Sequence, residues 1–159
     1  MVLFTGIHVA ISLAGILSGF AVVLGMIGDR PLPCWTSFFL LTTLATSVTG
    51  FMFPMHRFMP SHGVGIISLI VLTFTLLARY RFKLEGAWRK TYAVTAVIAL
   101  YLNVFVLVVQ SFLKIPALHT LAPNGNEPPF AMVQGAVLVL FIALGIAAAL
   151  KFKAPLGPS

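Results

Sequence analysis

The sequence predicts an all-α polytopic membrane protein, with residues 1–159 forming a single integral membrane domain of five transmembrane helices. The chain is 60% hydrophobic and only 8% charged, whereas soluble domains carry about 25% charged residues. Five apolar stretches approach the roughly 20 residues that a helix needs to cross the hydrocarbon core. Backbone groups in hydrocarbon must pair within their own segment, which favours helices. This composition excludes a soluble globule, a disordered chain and a nucleic-acid-binding module.

Breaks in the hydropathy set the ends of the predicted helices. The first helix ends at the turn 28–31, and because no basic residue precedes it we expect it to be retained rather than cleaved. The second ends near Pro54, and the third, which is the shortest, ends near Arg79. The fourth ends before Lys114 and the fifth before Lys151. The predicted helices cover residues 2–27, 34–53, 63–80, 92–113 and 130–150.

The distribution of basic residues predicts how the helices are threaded. With the N-terminus outside and the C-terminus cytoplasmic, eight of the ten Lys and Arg residues fall on the cytoplasmic side, as the positive-inside rule requires. The net charge of +7 is therefore interpreted as a topology signal. We expect a bacterial inner membrane, with the basic loop 79–91 against anionic lipids. The cytoplasmic basic residues are Arg30, Arg79, Arg81, Lys83, Arg89, Lys90, Lys151 and Lys153.

Small and hydroxyl-bearing residues predict close packing between helices. The first helix carries Gly15 and Gly19 four residues apart, and the second is rich in Ser and Thr. Small residues let helix backbones approach closely in lipid, and hydroxyl groups bond to helical carbonyls or to a neighbouring helix. Such faces serve contacts within this chain, a homo-oligomer or docking onto a larger membrane complex.

Polar side chains at similar depth predict a pocket in the outer half of the bundle. His8, Gln110 and Gln134 each lie several residues below the outer end of their helix. Intramembrane polar groups usually face the bundle interior or a wet cavity. We expect these three to bind a ligand, with His56 and His62 at the mouth and Asn103 either as the floor or in a separate interhelical bond. The alternative is that the same groups bond to one another and only hold the helices together.

A second pattern in the loop after the second helix raises the possibility of a metal ion. Met52, Met55, His56 and Met59 lie at helical spacing, and His62 follows them. Thioether and imidazole ligands suit Cu(I), so these five residues are the candidate copper ligands. Haem would instead need two histidines at similar depth, for which His8 with His62 is the plausible pair. The common alternative for the methionines is apolar filling.

The function hypotheses follow from these two patterns. Imidazole, amide and hydroxyl groups in an apolar pocket can bind a quinone or another carbonyl-bearing lipid, which implies a redox-accessory protein. The alternatives are a structural or assembly subunit of a larger membrane complex, and a small transporter. The acidic residues Asp29, Glu85 and Glu127 all lie in loops, which disfavours a proton relay or a carboxylate pair for acid–base catalysis. An enzyme is therefore not the preferred interpretation.

Overall fold

The structure, a computed structural model, describes residues 2–53 and 60–153. The described residues form helices and connecting turns, without a strand. Five helices are long and apolar enough to span a membrane, the third of them continuing through a π-helical turn at Leu77–Arg81. The helices are α1 (Val2–Ile27), α2 (Pro33–Phe51), α3 (Pro60–Leu76), α4 (Ala87–Lys114), the short α5 (Pro116–His119) and α6 (Pro128–Lys151).

Most helix ends differ from the predicted ones by one to five residues, and three of these differences have local reasons. Helix α2 ends at Phe51 rather than Phe53, since the residue before a proline is biased away from helical geometry and Pro54 follows. Helix α3 starts at Pro60, because proline at the first helical position sacrifices no hydrogen bond. Helix α4 starts at Ala87, ahead of its apolar stretch. Its first turn contains Ala, Arg and Lys, which are strong helix formers, although Arg and Lys are charged and interrupt the hydropathy signal.

Helix α4 lies at the centre of the bundle and contacts all four of the other long helices. Helix α1 packs against α2, α4 and α6, whereas α6, among the described helices, contacts only α4 and α1. The core holds large fully buried side chains from α1, α2 and α4, including Val23, Phe39 and Leu100. Gly19 of α1 faces two of them, Phe39 and Leu100, so closely that a Cβ there would lie 2.6 Å from Leu100 Cδ1. The close approach of α1 to its neighbours therefore depends on a residue without a side chain.

The end of the bundle at which α3 finishes carries a buried arginine. Arg79, in the π-helical turn, is only 6% exposed, and its guanidinium carbon lies 5.5 Å from the ring centre of Tyr80 and 5.8 Å from that of Tyr92. Cation–π attraction of this kind offsets part of the cost of removing the charge from water. We call this end the Arg79 end, and the end at which α1 begins and α4 finishes the His8 end.

Glu127 organises the turn before α6. Its carboxylate accepts hydrogen bonds from the backbone amide of Asn124 at 2.9 Å, from the Asn124 side-chain amide at 2.8 Å and from the Asn126 amide at 3.1 Å. The Asn124 backbone amide is the largest cause that lowers the pKa of Glu127 from 4.5 to about 2. The ionised carboxylate therefore keeps these bonds across the physiological pH range.

This turn should resist mild acid. A carboxylate whose folded pKa is depressed contributes stability that is complete above the unfolded pKa near 4.5 and is lost as the pH falls toward 2. We expect the Glu127 carboxyl resonance to titrate near pH 2, and slow exchange of the Asn124 amide to persist at pH 4. Glu127→Gln should speed that exchange at neutral pH. A carboxyl midpoint near pH 4.5 would contradict this arrangement.

Candidate ligand-binding site

A cavity of about 460 Å³ lies at the His8 end, among α1, α2, α3 and α4. Its walls come from the first half of α1, the last turns of α2, the first turns of α3 and the last turns of α4. Apolar side chains such as Leu13, Phe51 and Val106 form part of the wall. The polar lining residues are Thr5, His8, Ser12, Thr46, Ser47, His62, Ser68, Asn103, Gln110, Ser111 and Lys114.

His8 is held in place from two sides. Its Nδ1 lies 2.7 Å from the hydroxyl of Thr49 on α2. Its ring also meets the ring of Phe53 edge to face, with centroids 5.1 Å apart. Gly50 leaves space beside the imidazole, since a Cβ there would meet only His8 Cε1, at 3.9 Å. The imidazole therefore has a fixed orientation next to unfilled volume.

Asn103 lies at the deep side of the cavity and joins α4 to α2. Its Nδ2 donates a hydrogen bond to the hydroxyl of Thr43 at 3.2 Å, and the side chain is buried. This contact is an interhelical bond within the cavity wall. The structure thus gives Asn103 both of the roles considered from the sequence, since it bonds across the helices and lines the cavity.

Several polar groups of the cavity have no hydrogen bond within the described part of the chain. The Thr46 hydroxyl is buried without a partner there. Ser68 is 4% exposed and, like the Gln110 amide, makes no hydrogen bond to a described residue. Lys114 adds a positive charge, and no carboxylate lines the cavity among the described residues. Buried polar groups in proteins are usually paired, so Thr46 and Ser68 favour a ligand that supplies the missing partners, whereas Gln110 is half-buried and Lys114 is exposed.

Other hydroxyls of the lining are already engaged. Ser12 donates to the carbonyl of His8 at 2.7 Å, Ser47 to that of Thr43 at 3.0 Å and Ser111 to that of Leu107 at 2.7 Å. Each of these hydroxyls donates its proton to a carbonyl of its own helix, so it can only accept a hydrogen bond from a ligand. Donors for a ligand therefore have to come mainly from the amide of Gln110, the ammonium of Lys114 and the remaining hydroxyls.

The structure brings four of the five predicted ligand-binding residues to this cavity. His8, His62, Asn103 and Gln110 all line it, with His62 buried beside Phe51. Gln134 lies elsewhere, on the contact of α6 with α4.

Gln134 makes a contact of its own between two helices. Its Nε2 donates to the carbonyl of Phe105 at 3.2 Å, and its Oε1 is buried without a partner among the described residues. Gln134 and Gln110 have the same predicted depth. Gln110 lines the cavity, whereas Gln134 contacts the backbone of α4 outside it. Gln134 is therefore explained more simply as a structural link from α6 to α4.

The predicted copper ligands are only partly described. Met52 is 65% exposed and does not line the cavity. Met55, His56 and Met59 lie outside the described residues. Within ranges 2–53 and 60–153, no three His, Cys, Asp or Glu side chains lie together as metal ligands do. His62, the remaining candidate, belongs to the cavity instead.

Sequence reasoning missed seven of the eleven polar lining residues of the cavity, among them Thr46, Ser68 and Lys114. In the sequence, Thr46 and Ser68 look like ordinary helical residues whose hydroxyls bond to their own helix. Lys114 looks like a charged loop residue that marks the end of a helix. The sequence feature that does mark open space is Gly50, where a Cβ would meet only His8 Cε1 at 3.9 Å, whereas a Cβ at Gly65 would lie 2.9 Å from Phe51 Cζ.

The fold and the cavity together define an all-helical chain with five candidate membrane spans and one polar cavity described at the His8 end. No protein-family model, no curated protein and no solved structure matches this chain.

Proposed function

We propose that this protein binds a quinone, or a lipid with a similar carbonyl-bearing head group, in the cavity at the His8 end. The observation that carries the proposal is the cavity itself, about 460 Å³ with His8, His62, Asn103 and Gln110 on its wall. Sites for small organic ligands have volumes of about 300–1,000 Å³ and combine apolar walls with a few placed polar groups. The role is redox-accessory binding rather than catalysis.

The chemistry of the lining supports a head group that accepts hydrogen bonds. The Gln110 amide and the Lys114 ammonium are donors, and neither has a hydrogen bond to a described residue. A quinone carbonyl accepts from such groups while its ring lies against apolar and aromatic walls. An isoprenoid tail would extend along the exposed apolar faces of the helices, which a membrane would cover.

The proposed setting is the inner membrane of a bacterium. The bias of basic residues supports an N-terminus outside and a C-terminus in the cytoplasm. In that orientation the His8 end lies in the outer half of the bilayer, where quinone head groups have access from the lipid.

Haem is the second candidate, because His8 on α1 and His62 on α3 line the same cavity. His8 and His62 would be the residues that hold the iron, and the haem would supply redox chemistry. Iron content and the visible absorption spectrum of protein purified from its native membrane distinguish the candidates. About one iron per chain with a haem spectrum would replace the quinone proposal.

Two glutamines at similar depth provide a matched test of the quinone site. Gln110→Leu should weaken binding of a decyl-substituted benzoquinone about 2- to 10-fold, the value of one hydrogen bond between neutral groups. Gln134→Leu should leave the affinity unchanged, since this side chain bonds to Phe105 outside the cavity. Affinity is measured in lipid nanodiscs, corrected for partition of the benzoquinone into protein-free discs.

The outcomes of this test separate the proposals. Saturable 1:1 binding that depends on Gln110 and not on Gln134 supports the cavity as the site. Binding that depends on neither glutamine places the benzoquinone elsewhere on the protein. Absence of saturable binding to the unaltered protein contradicts the proposed function and favours a structural or assembly subunit, whose partners would co-purify with it in fixed ratio.

A further inference from the structure

The hydroxyl of Thr49 lies between two groups that compete for its single proton. Its Oγ1 is 2.7 Å from the carbonyl oxygen of Ala45, one turn back on α2, and 2.7 Å from Nδ1 of His8. A second helical carbonyl, that of Thr46, lies at 3.3 Å. Two oxygens 2.7 Å apart repel unless a proton lies between them, so the hydroxyl donates to Ala45. The hydroxyl then has only lone pairs for the imidazole.

This arrangement determines which nitrogen of His8 carries the proton. Because Thr49 accepts, Nδ1 must be the donor of the 2.7 Å bond. In a neutral imidazole one ring nitrogen donates and the other accepts. Nε2 therefore carries a lone pair, and it has no hydrogen bond to a described residue. Nε2 is a hydrogen-bond acceptor available to a molecule in the cavity.

An acceptor at this place discriminates between the two forms of a quinone. A quinone offers only carbonyl oxygens, whose lone pairs would repel that of Nε2. A hydroquinone offers hydroxyl protons, and its oxygens still accept from Gln110 or Lys114. Ser12 of α1 adds no donor here, since its hydroxyl donates to the carbonyl of His8.

We propose that the cavity binds the reduced, hydroxyl-bearing form of its ligand, a hydroquinone-type head group, more tightly than the oxidised form, with the hydroxyl donating to Nε2 of His8. This inference rests on the proposed function, because it assumes that an amphiphile occupies the cavity. His8 contacts the ligand, and Thr49 is a positioning residue that acts only through the imidazole.

A pair of redox-inert compounds tests the donor directly. 4-Hexylphenol has the hydroxyl, and its methyl ether, 4-hexylanisole, has the same ring and tail without the proton. Affinities are measured for the unaltered protein in nanodiscs at pH 8, above the ordinary histidine pKa of about 6.5, and corrected for partition into empty discs. We expect the phenol to bind about tenfold more tightly, the cost of leaving one buried acceptor unpaired.

Either result for the ether is informative. If both compounds saturate the cavity with equal affinity, the ligand gains nothing from a proton and the inference is wrong, while the proposed function stands. If neither binds, the proposed function fails and the inference fails with it. A third compound, 4-hexylcyclohexanol, distinguishes an aromatic hydroxyl from the alcohol of an ordinary lipid. Its equal affinity with the phenol would contradict a hydroquinone-type head group.

Two threonine variants isolate the positioning role of Thr49. Thr49→Val retains His8 but removes the acceptor for Nδ1, so the preference for phenol over ether should fall toward about onefold. Thr73→Val is the matched control, because the Thr73 hydroxyl also donates to its own helix, at 2.8 Å to Leu69, but lies outside the cavity. Nitrogen-15 NMR of histidine-labelled protein should show an unprotonated Nε2 on His8 in the control only. An unchanged preference in Thr49→Val with His8 still folded in place would overturn the proposed positioning role of Thr49.

Discussion

Gly19→Ala should destabilise the bundle by about 1–3 kcal/mol, the usual cost of forcing extra atoms into a packed core. The added Cβ would lie 2.6 Å from Leu100 Cδ1 and 2.8 Å from Phe39 Cε2. Both neighbours are 0% exposed, so either these side chains change rotamer within the packed core or helices α1, α2 and α4 separate. The measurement is the free energy of unfolding in detergent micelles, from a denaturant titration followed by circular dichroism.

Gly6→Ala is the matched control on the same helix. Nothing lies within 4 Å of a Cβ at Gly6, so the substitution removes the helix penalty of glycine without a clash. That penalty is about 0.5–1 kcal/mol relative to alanine in soluble helices, and we expect Gly6→Ala to be neutral or slightly stabilising. Equal stability of the two variants would show that α1 does not pack as closely as the structure has it.

Gly50→Leu should abolish ligand binding without unfolding the protein. Gly50 lines the cavity, and a Cβ there meets only His8 Cε1, at 3.9 Å. The leucine side chain then occupies space that a head group needs, whereas α2 gains a better helix former. We expect the affinity for a decyl-substituted benzoquinone to fall more than about tenfold, since an occupied site leaves the ligand no favourable contact surface. The melting temperature should be unchanged or higher.

Gly135→Leu supplies the control for the added bulk. Gly135 lies on exposed α6, away from the cavity, and has nothing within 4 Å of a Cβ. This variant should bind the benzoquinone as the unaltered protein does. Normal binding by Gly50→Leu would mean that the benzoquinone occupies a different surface. Loss of binding in both variants would indicate a general effect of substitution on the bundle.

More of the fold than of the site could be predicted from the sequence. Hydropathy identifies each helix separately, whereas a site depends on how the helices pack together. Helix α1 was predicted with the ends that the structure shows, since a long apolar run ends there at a turn. The start of α4 was placed too late, because hydropathy marks the part of a helix suited to hydrocarbon, and Ala87 to Thr91 are helical for other reasons. The π-helical turn at Leu77–Arg81 had no hydropathy signal.

For the residues of the candidate site, the sequence predicted the depth of each side chain in the bundle but not the direction in which it points. The rise per residue of a helix sets how far below its end a side chain lies, and this placed His8 and Gln110 at similar depth. It does not set the rotation of one helix against the next. Gln134 therefore had the expected depth but faces the carbonyl of Phe105. The bond from His8 to Thr49, between residues 41 positions apart, depends on that same rotation.

The central claim is that an amphiphile binds inside the cavity at the His8 end, and photoaffinity labelling tests it most directly. A benzoquinone with an azide on its ring is bound to the protein in nanodiscs, irradiated and located by mass spectrometry of peptides. We predict labels on the cavity faces of α1 and α4, near His8 and Gln110, and their loss when unlabelled benzoquinone competes. Labels confined to the outward faces of the helices, such as Leu138 and Ile142 of α6, and not reduced by competition, would contradict the account.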